Sequence, residues 1–215
     1  SISYQELGQQ AHDFAAYLQQ DLGLVKGDRF AIMIPNLLQY PIALFGALLA
    51  GLTVVNVNPL YTARELEHQL KDSGTKAILI LENFAHVLEK VIDKTDVKHI
   101  VLTAVGDRLG AVKGLLINSV LRHVKKQVPA FNFPGAVRFN QAMTKGAKLT
   151  FKPVKVVGSD LAFLQYTGGT TGPSKGAMLT HRNMVANLEQ SNAATKNIYE
   201  VGKEIMVTAL PLYHV

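Results

Sequence analysis

The sequence predicts an α/β fold, a largely parallel sheet flanked by helices. Three observations carry that reading. Short apolar or β-branched runs alternate with runs at helical spacing. Gly and Pro punctuate the joints between them. No charged residue occurs between Arg29 and Arg64, as expected where strands and helices are covered on both faces.

The elements follow in order. Ser3, Tyr4, Gln5 and Glu6 form a capping box, in which Ser3 accepts from the third helical N–H and Glu6 reaches back. Leu7, Ala11, Phe14, Ala15 and Leu18 continue at helical spacing, and Gly23 suits the helix exit. Residues 29–34 read as a strand, 40–50 as a helix stopped by Gly51, and 53–57 as a β-branched strand. Thr62 and Glu65 repeat the capping box and open a helix through Leu66 and Leu70 to Gly74. Residues 76–81 read as a strand, 85–93 as a helix, and 99–103 as another strand.

Pro35, Asn36, Gln39 and Pro41 break the front of the uncharged region, and Asn56, Asn58 and Pro59 break its end. The cleanest apolar part, residues 40–55, is shorter than the roughly 18–20 residues of a spanning helix. No transmembrane helix is expected. The composition, 48% hydrophobic and 18% charged over 215 residues, excludes general disorder. The absence of cysteine excludes disulfides, thiolate zinc sites and thiol nucleophiles, and fits a reducing compartment. The chain opens at Ser1 without Met and stops within an apolar run at Val215, which reads as a piece of a longer protein.

Charge is uneven. Residues 97–155 hold eleven basic residues and one acid, Asp107, within a chain whose formal net charge is +6. Inside that stretch Val112, Leu116, Val120, Val124 and Val128 recur every four residues, with Lys113, Arg122, His123, Lys125 and Lys126 largely between them. This is a basic amphipathic helix, suited to an anionic membrane surface. The plainer alternative is a surface helix packed on its own domain with a solvated basic face. Residues 135–153 read as an irregular connector. A boundary near Ser159 divides the chain into a first α/β subdomain, 1–158, with the basic insert at about 97–155, and the start of a second, 159–215.

Residues 161–166 form a strand by composition and run into Thr167, Gly168, Gly169, Thr170, Thr171, Gly172, Pro173, Ser174, Lys175 and Gly176. Four glycines let backbone N–H groups approach a ligand closely. The threonine hydroxyls add donors and hard oxygen ligands, and Lys175 adds a mobile positive charge. Together they suit a polyphosphate. A Walker A loop needs Gly before and Ser or Thr after the lysine, whereas Ser174 precedes Lys175 and Gly176 follows. The alternative is a Gly/Thr hairpin turn without a ligand. Downstream, Thr180 suits a helix N-cap, with Met184 and Leu188 on one face. His181 and Arg182 in that first turn read as structural.

The loop resembles the phosphate-binding signature of the adenylate-forming enzymes, which include acyl-CoA synthetases, luciferases and peptide-synthetase adenylation domains. Leu210-Pro211-Leu212-Tyr213-His214 resembles the family's next signature. Lys26-Gly27-Asp28-Arg29 and residues 55–60 resemble its N-terminal landmarks, so the resemblance covers essentially the whole chain. The wording of 165–172 and 175–183, with 59–62 and 65–70, is most similar to the bacterial long-chain fatty acyl-CoA synthetase branch. Gly168 stands where many members have Ser or Thr, as is usual in that branch. Ser174 stands where many have Pro, which relaxes the loop around Lys175.

The resemblance implies part of the large N-terminal domain of an adenylate-forming enzyme. It implies ATP-dependent activation of a long-chain fatty acid to the acyl-adenylate and then, with CoA, to acyl-CoA, using Mg²⁺. Tyr166 through Ala177 would line the phosphate site, namely Tyr166, Thr167, Gly168, Gly169, Thr170, Thr171, Gly172, Pro173, Ser174, Lys175, Gly176 and Ala177. Thr171 would offer an oxygen near Mg²⁺, Tyr213 would lie near the acyl entry, and His214 would stand beside the carboxylate as the catalytic candidate. For His214 the alternative is a core histidine. The family's Mg²⁺-binding Glu, ribose-binding Asp and lid Lys would lie downstream of Val215, so the 215 residues alone are expected to be inactive.

The implied setting is cytoplasmic, peripheral at the inner membrane face. The rivals are another adenylate-forming ligase, such as a coumarate ligase or luciferase-like enzyme, and a basic membrane-binding module. Nucleic acid is not expected as a partner, since Phe131, Phe133 and Phe139 are the only local candidates for base stacking. A homodimer is compatible with the sequence but no residue pattern signals it.

Overall fold

The structure, a computed structural model, describes residues 1–167, 173–196, 198 and 202–213. The chain runs α1 (Tyr4–Gln20), β1 (Arg29–Met33), α2 (Gln39–Leu49), β2 (Thr53–Asn56), α3 (Ala63–Ser73), β3 (Thr75–Leu81), α4 (Ala85–Glu89), β4 (His99–Thr103), α5 (Ala111–Ser119), β5 (Val137–Arg138), α6 (Phe139–Gly146), β6 (Leu161–Thr167), β7 (Lys175–Thr180) and α7 (His181–Thr195). Both expected capping boxes form, at Ser3 with Glu6 and at Thr62 with Glu65. Gly74 closes α3 in the left-handed conformation, at φ +60°.

The strands make one seven-stranded sheet in the order β5-β4-β3-β1-β2-β6-β7, parallel except for the β6–β7 pair. Successive residues of a strand face opposite sides. Phe30, Ile32, Val54 and Leu79 therefore join Phe14, Tyr17, Ile42 and Phe139 in one core, under α1, α2 and α6. Ala31, Met33, Val55, Ile78 and Ile80 join Leu66, Leu70 and Leu88 in the other, under α3 and α4. Two covered faces explain why the central strands carry no charge beyond Arg29 and Lys76 at their starts. The sheet continues across position 159, because β6 pairs with β2.

Four expectations need correction. Residues 135–153 are not an irregular connector throughout: they contain β5 and α6, whose Phe139, Ala142 and Met143 are buried at helical spacing. Such short elements between Gly135 and Gly146 fall below what periodicity detects. Residues 85–93 are not one helix, since α4 stops at Glu89 and a 3₁₀ turn, Ile92–Lys94, follows. The basic helix stops short of Val128: α5 passes into a π-helical stretch, Val120–Val124, and Lys126 takes a positive φ of 50°. Nor is it packed by its valine stripe, because Val112, Leu116 and Val124 face solvent. Finally, residues 175–180 form β7, an element absent from the sequence reading. Among the described residues no helix is long and apolar enough to cross a membrane.

Candidate functional site

The parallel strands β1, β2, β3, β4 and β6 end on the same edge of the sheet, where open α/β sheets place their ligand loops. The Gly/Thr loop leaves that edge from the end of β6. Thr167 pairs with Lys175 and Tyr166 with Gly176, so the loop is the tip of an antiparallel hairpin. This separates it from the strand-to-helix loop of a Walker A site. Gly168 to Gly172, with the metal candidate Thr171, lie outside the described residues, as does His214. Thr167, Pro173, Lys175 and Ala177 are exposed, and Ser174 and Gly176 are half-buried.

The base of the hairpin is held from α3. Tyr166 is buried and its hydroxyl donates to Asp72 Oδ2 at 2.6 Å. Burial, then the bond to Asp72, pushes the Tyr166 phenol above its ordinary range. Its ring lies across Gly176, where a Cβ would stand 3.0 Å from the ring carbons. Glycine at 176 thus lets a large ring cover the strand beside it. One helical turn before Asp72, His68 places Nε2 2.8 Å from Ser174 O. A carbonyl only accepts, so that nitrogen carries the proton. Both ends of the loop are thereby tied to one rigid helix.

The second signature segment is held on the opposite face of β6. Asn36 makes two bonds to it: Nδ2 donates to Leu210 O at 2.9 Å, and Oδ1 accepts from Leu212 N at 2.7 Å. Gln165 Nε2 donates to Tyr213 O at 3.1 Å, while Gln165 Oε1 accepts from Asn56 Nδ2 at 3.1 Å. The Tyr40 hydroxyl lies 2.7 Å from both Asn56 Oδ1 and Leu212 O, so one proton serves two acceptors. Burial raises the Tyr40 phenol above its ordinary range. Adjacent residues of β6 therefore anchor different parts of the site, Gln165 the segment before His214 and Tyr166 the loop base.

Sequence reasoning treated the uncharged region as core only and missed Asn36, Tyr40 and Asn56. It also missed His68 and Asp72 as supports. A polar residue inside an otherwise apolar run, such as Asn56 within Thr53–Asn56, was the available signal. The structural reading of His181 and Arg182 matches their backbone N–H groups, which donate to Asp160 O and Gly158 O at 3.0 and 2.9 Å. Thr180 caps α7, with Oγ1 accepting from Asn183 N at 3.2 Å. A cavity of about 840 Å³ between α1, α6 and the start of α5 contains none of the sequence candidates. Among the described residues no group of three or more His, Asp or Glu could hold a metal ion.

Comparison with known proteins agrees in fold and family. The family model described as AMP-binding enzyme matches residues 1–215. The chain is 59% identical, over 214 residues, to a long-chain-fatty-acid–CoA ligase of Escherichia coli O157:H7, covering 100% of this chain and 38% of that protein. It is 30% identical to a 4-coumarate–CoA ligase-like protein of Oryza sativa, covering 34% of it. The crystal structure of a long-chain-fatty-acid-CoA ligase from Archaeoglobus fulgidus superposes with a TM-score of 0.76 at 27% identity, over 100% of this chain and 36% of that one. The chain thus spans less than two-fifths of the length of these relatives.

Proposed function

The chain belongs to the AMP-binding enzyme family, and from that membership we propose that the whole protein activates a long-chain fatty acid with ATP and passes the acyl group to CoA. One observation carries the choice of substrate: identity is 59% to the bacterial fatty-acid ligase and 30% to the coumarate ligase-like protein. In the first half-reaction a carboxylate oxygen attacks the α-phosphorus of ATP and pyrophosphate leaves. In the second, the CoA thiol attacks the acyl carbonyl, loses its proton, and AMP leaves.

A carboxylate is a weak nucleophile approaching an anionic target, so alignment and charge neutralisation are the main tasks. In this reading Thr167 to Lys175 cradle the β- and γ-phosphates, with Lys175 neutralising charge on the departing pyrophosphate. The bonds from His68 to Ser174 and from Tyr166 to Asp72 keep the hairpin base from moving with it. His214 borders the carboxylate, and the bonds of Asn36, Tyr40 and Gln165 to residues 210–213 fix its approach. Mg²⁺ would arrive on the phosphates of ATP, with Thr171 as an added oxygen, since Mg²⁺ ordinarily keeps waters and uses substrate phosphates. When bound it would spread the phosphate charge. A substrate that partitions into bilayers also favours work at the cytoplasmic membrane face, in contact with anionic lipid.

The test is ATP–pyrophosphate exchange by the whole protein with palmitate and, separately, with coumarate. Palmitate-dependent exchange is expected, reduced about 100-fold in Lys175→Ala. Exchange driven by coumarate and not by palmitate would overturn the substrate assignment.

A further inference from the structure

The helix α5 carries its apolar side chains outward. Val112, Leu115 and Leu116 stand at i, i+3 and i+4, on one face, and are 85, 74 and 64% exposed. Val124, in the π-helical stretch, is 75% exposed. The side turned toward the protein instead holds Gly114, Asn118 and Arg122, one helical turn apart. Gly114 lies against Gly106 so closely that a Cβ on either glycine would strike the other's carbonyl oxygen. Asn118 accepts from Gly106 N at 2.7 Å and donates to Asp107 Oδ1 at 3.2 Å. Arg122 forms a two-pronged pair with the buried Glu82, at 2.8 and 2.7 Å, which Arg138 also reaches at 2.7 Å.

This is an inverted surface helix. Ordinary amphipathic packing would bury the leucines and solvate the arginine. Here glycine contact, an amide and a bidentate ion pair fix the helix, and the apolar ridge stays free of its own core. Lys113, Lys125 and Lys126 are exposed on the helix and just after it. They lie in a segment of net charge +10, residues 97–155. An apolar ridge rimmed by lysines fits an acyl layer beneath anionic headgroups. The helix follows β4, so it sits on the same sheet edge as the Gly/Thr loop, about 20 Å across at the ~4.8 Å spacing of paired strands.

We propose that α5 and the turn after it form a membrane-docking surface: Val112, Leu115, Leu116 and Val124 insert into an anionic lipid leaflet, and Lys113, Lys125 and Lys126 contact its headgroups. The proposal deepens the membrane contact suggested above but does not depend on the fatty-acid chemistry. The fixed inward face gives docking a set orientation, with the loop-bearing edge of the sheet toward the lipid.

The experiment uses the whole protein and vesicles of phosphatidylglycerol with phosphatidylcholine, with phosphatidylcholine alone as comparison. Leu115→Ser with Leu116→Ser should lower the partition coefficient on anionic vesicles at least about tenfold, leaving pyrophosphate exchange on detergent-dispersed palmitate unchanged. A second readout does not rely on lost binding. Val112→Trp should add an emission that brominated lipid quenches, whereas Val25→Trp, on the opposite sheet edge, should not. Wild-type partitioning by the double variant would overturn the proposal. So would an unquenched Val112→Trp on pelleted vesicles, the result expected if protein covers the ridge instead. An enzyme that docks through α5 yet fails to activate palmitate would refute the fatty-acid reading alone.

Discussion

The centre of the sheet and its β6–β7 edge are built by different means. In β1, β2 and β3 nearly every side chain is buried, packed under helices on both faces. At the edge, β7 is largely exposed, and α7 buries no residue among those described. Met178, Val185 and Leu188 are each more than half exposed there. Apolar burial fixes the centre. A few directed polar contacts, Tyr166 to Asp72, His68 to Ser174 and Gln165 to Tyr213, fix the base of the Gly/Thr loop and the segment at 210–213. If the loop meets charged ligands in water, as proposed, it cannot be secured by enclosing it.

The contrast is most sharply tested by truncating one apolar side chain in each region. Phe30→Ala, at a fully buried site in contact with Phe14, should destabilise the whole protein by about 3–5 kcal/mol in urea unfolding. Leu188→Ala on α7 should change stability by no more than about 0.5 kcal/mol. A large loss at Leu188 would mean that the edge, too, is secured by apolar packing in the whole protein.

A smaller effect should come from the polar anchor of the hairpin. Tyr166→Phe removes the donor to Asp72 and should cost about 1 kcal/mol near neutral pH. Its pH dependence has a definite sign. The folded phenol is raised above the ordinary value of 10.0, so the contribution of its protonation is full below that value and is lost as pH rises beyond it. Wild-type stability should therefore fall above about pH 10, less steeply in Tyr166→Phe. Parallel curves for the two proteins would remove Tyr166 as a source of that fall.

The smallest effect belongs to a surface pair. Lys26 Nζ lies 2.7 Å from Asp160 Oδ2, just before β6. The bond from Lys26, then that from the Val157 N–H, lowers the Asp160 carboxyl below its ordinary value of 3.8. Its contribution is present above that value and is lost as pH falls through the lower folded one. Lys26→Met should lower stability only slightly at neutral pH, because the pair is exposed and screened by solvent, and should leave less to lose in acid, as acid titration of unfolding would register.

The sequence made legible what repeats or punctuates. The strands at 29, 53, 76, 99 and 161 stand out by apolar runs, and both N-terminal capping boxes announce their helices. The Gly/Thr loop was visible because its composition is rare. β7 was not, since Gly176 and the exposed Ala177 and Met178 lack an apolar alternation. Its strand character arises from pairing with β6, a tertiary effect. Asn36 and Tyr40 were hidden for a related reason: their partners at 210–213 lie more than 170 positions away, as the separations of 174 and 172 record. On α5 the spacing was readable but the facing was not, because Glu82 and Gly106 decide which side turns inward.

The order of strands also bears on how the chain reaches this state. β1 to β4 are adjacent in the sheet and complete by Thr103, so a growing polypeptide can assemble them from neighbouring segments. β6 docks beside β2 only after a wide excursion, closing Gln165 onto Asn56 across 109 positions. The entropy of closing such a span rises only slowly with its length, but it falls before any contact rewards it. During synthesis from the N-terminus, β6, which leads into the Gly/Thr loop, is thus seated after the other parallel strands described here. Until then the exposed side of β2 is an unpaired edge, and Asn56 at its end waits for its amide partner. Misfolding and chaperone capture of this protein should therefore concentrate in the interval between emergence of β2 and arrival of β6.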